Sequence, residues 1–220
     1  VPPGGSFIYE FDANVPGTYF YHSHVGLQLD RGLLGLLVID PAEPERLADR
    51  EFLLLLDDWL PTSPDDAMAA RMATTPGMGG GMMGGGMMGG GMAGTSSATE
   101  PPYAGYLANG RLGTTADPLT VTRGERVRVR IINGSAATTH RVGLVGHRLT
   151  VTHADGQAVA PLDVDTLVIG MGERYDVVVR MDNSGTWPLL AGPVDSAVPG
   201  IALPVVYSGE RSTVAPVQVW

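Results

Sequence analysis

From Arg126 to Ile131 charged and apolar residues alternate without a slip, Val127, Val129 and Ile131 on one side and Arg126, Arg128 and Arg130 on the other. A period of two marks a β-strand with unlike faces, and the arginine row is expected to be a solvated face. The same alternation runs from His147 to His153 and ends at Asp155-Gly156. It places His147 and His153 with Leu149 and Val151, as inward or strand-end histidines with hydrogen-bonded nitrogens; His140 is read in the same way. Tyr106 to Arg111, a short strand with a turn signal at Asn109-Gly110, is followed by further short strands over Leu119 to Glu125, Val164 to Met171, Tyr175 to Met181 and Leu203 to Ser208. After Glu51, Phe52 to Leu56 is a continuous apolar run, the pattern of a strand buried on both faces. Asp57-Asp58 after it suits a turn or a cap better than an acid–base pair. Short strands punctuated by Gly, Pro, Asn and Asp predict an all-β chain folded as an antiparallel sandwich or barrel.

Three more strands are expected near the beginning, over Ser6 to Asp12, Thr18 to His24 and Leu33 to Asp40. Each has an apolar side, and three strands in about 40 residues bury no independent core without a staple. The opening Val1-Pro2-Pro3-Gly4-Gly5 has no initiating Met, no basic stretch and no apolar core, so the chain is expected to be a piece of a longer protein. Residues 42–50 are charged, contain proline and lack periodicity, which reads as a linker between two domains.

Residues 61–102 break the strand pattern. Ser63 is placed to cap a short helix, with Pro64 in its first turn and Asp65 and Asp66 complementing its dipole. Met68 and Met72 then lie one turn apart on one side. Beyond them a Gly-Gly-Gly-Met-Met repeat carries Met78, Met82, Met83, Met87, Met88 and Met92. Glycine triplets leave too much backbone entropy for cheap regular structure. Eight of the ten methionines of the chain sit in this insert, where there is little core for them to fill. One reading is a low-complexity loop that happens to contain Met. The other is a set of soft thioethers that catch Cu(I).

Charge and composition narrow the partners. A formal net charge of −9 leaves no basic stripe for phosphates, so nucleic acid is not an expected partner. Cysteine is absent, which excludes disulfides and thiolate metal sites within this chain. No apolar run approaches the roughly 18–20 residues that span a bilayer. Phosphate-loop, dinucleotide and Gly-x-Ser-x-Gly patterns are missing as well.

The candidate chemistry lies in Gly17-Thr18-Tyr19-Phe20-Tyr21-His22-Ser23-His24. On a strand, i and i+2 share a face with Cβ atoms roughly 7 Å apart, which suits two imidazoles each holding a different metal ion of a close pair. A partly exposed pair without metal also fits that spacing. The order of the surrounding pieces favours the metal reading: an aromatic strand with His-Ser-His, a polar loop with Gln28 and Arg31, then the Gly-punctuated Arg31-Gly32-Leu33-Leu34-Gly35-Leu36-Leu37-Val38-Ile39.

At this point the chain resembles the multicopper oxidases, the laccase-like family, most closely over residues 4–41. Asn109-Gly110-Arg111, Arg130-Ile131-Ile132-Asn133, His153-Ala154-Asp155-Gly156 and Gly172-Glu173-Arg174-Tyr175-Asp176 are similar to runs in that family's second domain. The resemblance implies cupredoxin-like Greek-key domains. Residues 1–41 would close a first domain, 51–209 would form a nearly complete second one, and 210–220 would open the passage to a third. It implies copper as cofactor, with His22 and His24 each on one metal of the binuclear pair in a trinuclear cluster. The other ligands, and the rest of the cupredoxin domains, would belong to the longer parent. In two-domain relatives the Cys-bound blue copper sits in the second domain, so this Cys-free second domain points to a three-domain parent.

The implied activity is one-electron oxidation of a phenol, an aromatic amine or Cu(I), coupled to reduction of dioxygen to water. The fragment alone is expected to be inactive, and the parent to be periplasmic or secreted. The rival expectation is a non-catalytic cupredoxin protein that sequesters Cu(I) on the Met-rich insert.

Overall fold

The computed structural model describes residues 1–74, 101–113, 115–196 and 200–209. Its first unit is a two-stranded antiparallel ladder. β1 (Gly17–His22) pairs with β2 (Leu34–Ile39) from Gly17 opposite Ile39 to His22 opposite Leu34. Tyr21 faces Gly35 across this ladder, and its ring lies where a Cβ on Gly35 would stand.

The expected strand over Ser6 to Asp12 does not form; those residues are exposed and pair with nothing in a ladder. Their aromatic pattern suits a strand, but a strand needs a neighbour's backbone to satisfy its own. Phe7, Ile8, Tyr9 and Phe11 are left on the surface.

The second unit begins with β3 (Arg50–Trp59), followed by α1 (Pro64–Thr74). Ser63 caps α1 as its sequence implies: its Oγ accepts from the Asp66 N–H at 3.2 Å and donates to the Asp66 carboxylate at 2.6 Å. Then follow β4 (Gly105–Ala108), β5 (Arg111–Leu112), β6 (Leu119–Val121), β7 (Arg126–Asn133), β8 (His140–Leu144), β9 (Leu149–Ala154) and β10 (Gln157–Val164). The last four are β11 (Leu167–Ile169), β12 (Arg174–Arg180), β13 (Thr186–Pro193) and β14 (Ile201–Tyr207). Asn109-Gly110 and Asp155-Gly156, all at positive φ, make the tight turns β4–β5 and β9–β10.

These strands form two facing sheets, a seven-stranded one in the order β10-β9-β12-β7-β3-β4-β5 and a five-stranded one in the order β11-β8-β13-β14-β6. The sheets stay open, so the architecture is the sandwich of the two expected alternatives. Most pairs are antiparallel, but β3 runs parallel to β7 and β14 parallel to β6. Between the sheets lie Leu54, Leu56, Val127, Val129, Ile131, Val177 and Val179 from one side. Val142, Leu144, Leu189, Leu203, Val205 and Tyr207 answer from the other.

Three expectations are corrected here. The arginine row is solvated only at Arg126: Arg128 and Arg130 are 3% and 2% exposed, because β1 and the segment before β3 lie across that part of the sheet. Alternation separates two faces without saying what covers either. Asp57 and Asp58 are not turn residues, since β3 runs on through Trp59 and buries both. His147 precedes β9, in the turn that closes on Leu144. His153 is within β9 but does not share a face with Val151. Pairing with β12 shifts register between Asp176 and Val177, so Thr152 is an extra residue and His153 swings to the Arg128 side.

Candidate metal centre

His22 closes β1 and His24 follows just beyond it. The two rings lie on one side with centroids 4.5 Å apart and planes 37° apart. Below them Phe20 stacks on His22 at 5.0 Å and 10°, so Phe20, His22 and His24 form one column, as their i, i+2, i+4 spacing requires. His22 Nδ1 is buried and has no hydrogen-bond partner. An imidazole nitrogen shut away from water without a partner is costly unless a ligand completes it.

Ser23 turns to the other side. Its hydroxyl donates to Gln28 Oε1 at 2.6 Å and accepts from the Val25 N–H at 3.1 Å, which shapes the loop behind the pair. That loop is tied at two successive residues: the Tyr103 hydroxyl donates to Asp30, and the Arg31 guanidinium pairs with Asp65 of α1. Both stems of the Met/Gly-rich insert therefore meet the loop after His24. Met68 is half-buried on α1 and Met72 is 58% exposed. Met78, Met82, Met83, Met87, Met88 and Met92 lie outside the described residues. Among the described residues no group of three or more His, Cys, Asp or Glu side chains converges on one point.

The other histidines are engaged by hydrogen bonds within the second unit, His140 and His153 buried and His147 half-buried. His140 is fully buried; its Nε2 lies 3.0 Å from Ser135 Oγ, its Nδ1 has no partner, and burial pushes its pKa down to about 4. His147 Nε2 and the Tyr207 hydroxyl are 2.6 Å apart, with Nδ1 2.9 Å from the Val145 carbonyl. His153 lies between Thr152, Arg128 and Glu45.

Two features have no counterpart in the reading of the sequence. Asp57 is a buried carboxyl raised to about 7, chiefly by desolvation, with Asp58 and Asp30 adding negative charge. Its neighbour Asp58 accepts from the Ala137 N–H at 3.0 Å and the Thr138 hydroxyl at 2.5 Å. A signal for the burial was present: the apolar run before them contains no Gly or Pro to stop it. The second feature is a charged cluster under β1. Asp176 accepts from Arg128 at 2.6 Å, from Arg130 at 3.1 Å and from the Thr18 hydroxyl at 2.7 Å. Arg130 also grips Glu51 through two bonds of 2.9 Å.

A multicopper oxidase family model matches residues 50–204, and a second multicopper oxidase model matches residues 1–44. The chain belongs to the multicopper oxidases. Over 202 residues it is 43% identical to multicopper oxidase MmcO of Mycobacterium tuberculosis, with 87% of this chain and 39% of that protein covered. Copper resistance protein A of Escherichia coli is 33% identical over 202 residues, covering 82% of this chain and 33% of the relative. Among solved structures, the blue copper oxidase from Nitrosomonas europaea superposes with a TM-score of 0.66 at 26% identity, covering 94% of this chain and 64% of that one. The chain thus spans well under half the length of the curated relatives it matches. Membership of the multicopper oxidases implies copper as cofactor, and the donor set agrees: imidazole is a good copper ligand, and one of the two rings has a buried nitrogen left open. Among the described residues no helix is long and apolar enough to cross a membrane.

Proposed function

We propose that this chain is part of an enzyme that takes single electrons from a reducing substrate and reduces dioxygen to water, with His22 and His24 each holding one copper of a binuclear pair. The observation that carries the reading is the pair itself: two imidazoles 4.5 Å apart on one side of β1, with His22 Nδ1 buried and unpartnered. Copper, when bound, supplies the one-electron redox chemistry, and as a cluster the reduction of dioxygen. The chain supplies placement. The β1–β2 ladder fixes His22 opposite Leu34, Phe20 packs against its ring, and Ser23 holds the following loop through Val25 and Gln28.

In this reading residues 1–41 close a first cupredoxin domain and 42–50 are a linker. Residues 51–209 are a second domain carrying the insert 61–102, and 210–220 begin the passage to a third. The exposed Phe7, Ile8, Tyr9 and Phe11 support it, as surface that the remaining cupredoxin domains would cover. The enzyme is periplasmic or secreted, and its reducing substrate is a phenol, an aromatic amine or Cu(I). Similarity to a copper resistance protein and the Met-rich insert favour Cu(I). Met68 and Met72 on α1, with Met78, Met82, Met83, Met87, Met88 and Met92, would be soft thioether ligands for it.

The test is copper content and oxygen uptake of the intact protein carrying His22→Ala or His24→Ala. Loss of copper from the pair together with loss of substrate-driven oxygen uptake is expected. Full copper and undiminished uptake in both variants would refute the reading. Exposed Met72 supports a second reading, non-catalytic Cu(I) sequestration on the insert. In that case the copper-loaded intact protein takes up no oxygen and shows no blue absorption band, while replacing the insert methionines by Ser lowers Cu(I) affinity.

A further inference from the structure

We propose that Thr18, gripped by Asp176 and Arg130 of the large sheet, is a positioning residue for the His22/His24 pair. The inference rests on the reading of that pair as copper ligands. It goes further in assigning the placement of the pair to the second unit of the molecule.

Thr18 is 1% exposed, and every polar atom it presents to the large sheet is bonded. Its hydroxyl donates to Asp176 Oδ1 at 2.7 Å and accepts from Arg130 Nη1 at 2.8 Å. Its carbonyl accepts from Arg174 Nε at 3.1 Å. The groups that hold it are themselves held: Asp176 by Arg128 at 2.6 Å, and Arg130 by Glu51 through two bonds of 2.9 Å. On either side of Thr18 the backbone is also seated. A Cβ on Gly17 would lie 2.6 Å from the Gly156 carbonyl oxygen, and the Tyr19 ring lies beside Gly156 with the Arg174 guanidinium 5.6 Å from its centre.

Thr18 and His22 lie on the same face of β1, four residues and about 13 Å apart along the strand. Phe20 stands between them and stacks on His22. The column Thr18–Phe20–His22–His24 is therefore fixed at its foot by buried ionic hydrogen bonds, while its head is the imidazole pair. A foot anchored to two charged groups resists sliding and rolling of the strand far better than apolar contact, because charge-assisted bonds are directional. Metal sites depend on such support: partners outside the ligand shell set ligand orientation, and their loss costs about tenfold or more in metal affinity.

The test uses the copper-loaded intact protein with Thr18→Val, which keeps the shape and removes the hydroxyl, and Thr18→Ser, which keeps it. Three readouts separate positioning from mere stability: copper affinity by chelator competition, the magnetic resonance and absorption spectra of the bound copper, and kcat against KM for the reducing substrate. Thr18→Val is expected to weaken retention of the copper pair about tenfold, to shift its spectra and to lower kcat with KM unchanged, and Thr18→Ser to restore all three. If Thr18→Val changes only the unfolding midpoint, with copper affinity and spectra as in the unsubstituted protein, the proposal is overturned. Failure of Thr18→Ser to restore the readouts overturns it too. Should Thr18→Val not fold, Thr18→Ala, which leaves room for a water in place of the hydroxyl, is read by the same criteria. His22→Ala in parallel separates the two levels. If it leaves copper binding intact, the ligand reading itself fails; if it abolishes binding while Thr18→Val does not, only the positioning role fails.

Discussion

Thr18 and Asp176 are 158 positions apart in the chain, yet their side chains meet in a buried hydrogen bond of 2.7 Å. The bond joins the strand that carries the histidine pair to the central part of the large sheet, where Asp176 also neutralises Arg128 and Arg130. Two buried guanidiniums around one carboxylate are tolerable only while each charge keeps its partners. The contact between the two units thus combines a paired ionic cluster with apolar packing, in which the side chains of Leu34 and Leu55 both crowd Gly134.

Asp176→Asn should be strongly destabilising. It leaves two nearly inaccessible arginines without their shared counter-charge, a loss of about 3 kcal/mol or more. Denaturant unfolding of the intact protein measures it; a loss below about 1 kcal/mol would mean that Glu45 and Glu51 suffice as counter-charges.

Gly17→Ala should loosen the same contact by a different route. Gly17 has φ +152° and its added Cβ would meet the Gly156 backbone at 2.6 Å, where no flexible side chain can give way. A cost of about 2 to 3 kcal/mol is expected from overpacking and strain together. Thermal unfolding would show it, and an unchanged midpoint would contradict the close approach.

Asp57 should make stability fall as pH rises. Its folded pKa of about 7 lies above the ordinary carboxyl value, so the native state holds the proton more tightly than the unfolded chain. This contribution is fully present below about pH 4, declines as the pH climbs toward 7, and is flat above it. Asp57→Asn, a mimic of the protonated acid, should gain about 4 kcal/mol at most over the native protein between pH 4 and pH 8. Urea unfolding of the two proteins across that range gives the answer; parallel curves would refute the perturbed carboxyl.

His140 should act in the opposite sense. With its folded pKa near 4 against about 6.5 unfolded, it binds fewer protons in the native state, and stability is lost as pH falls through that window. His140→Phe removes a proton-binding group and a bond to Ser135, so it should cost about 1 kcal/mol at neutral pH. Relative to the native protein it should recover on the order of 2 kcal/mol between pH 7 and pH 5. A gap that stays constant with pH would show that His140 does not resist protonation.

Local periodicity and local chemistry were legible from the residues alone. The alternation around Val127, Val129 and Ile131, the cap at Ser63, and the turns at Asn109-Gly110 and Asp155-Gly156 depend on neighbours within a few positions, and each stands in the structure as read. The shared side of His22 and His24 follows equally from strand geometry, and the family from the motif around them. Which surface is covered, and by what, needed the tertiary structure. Arg128 and Arg130 look solvated in sequence because nothing nearby in the chain can neutralise them; their partners Asp176, Glu51 and Glu45 arrive from other strands and the linker. His153 changed faces through a single extra residue at Thr152, a register choice set by strand β12 rather than by β9. Asp57 and Asp58 are buried because β4 and the loop after β7 close over them. For the histidine pair the division is the same. Its spacing was determined by the sequence, since a strand repeats every two residues. Its anchorage through Thr18 was decided by the fold, since only packing brings position 176 to position 18.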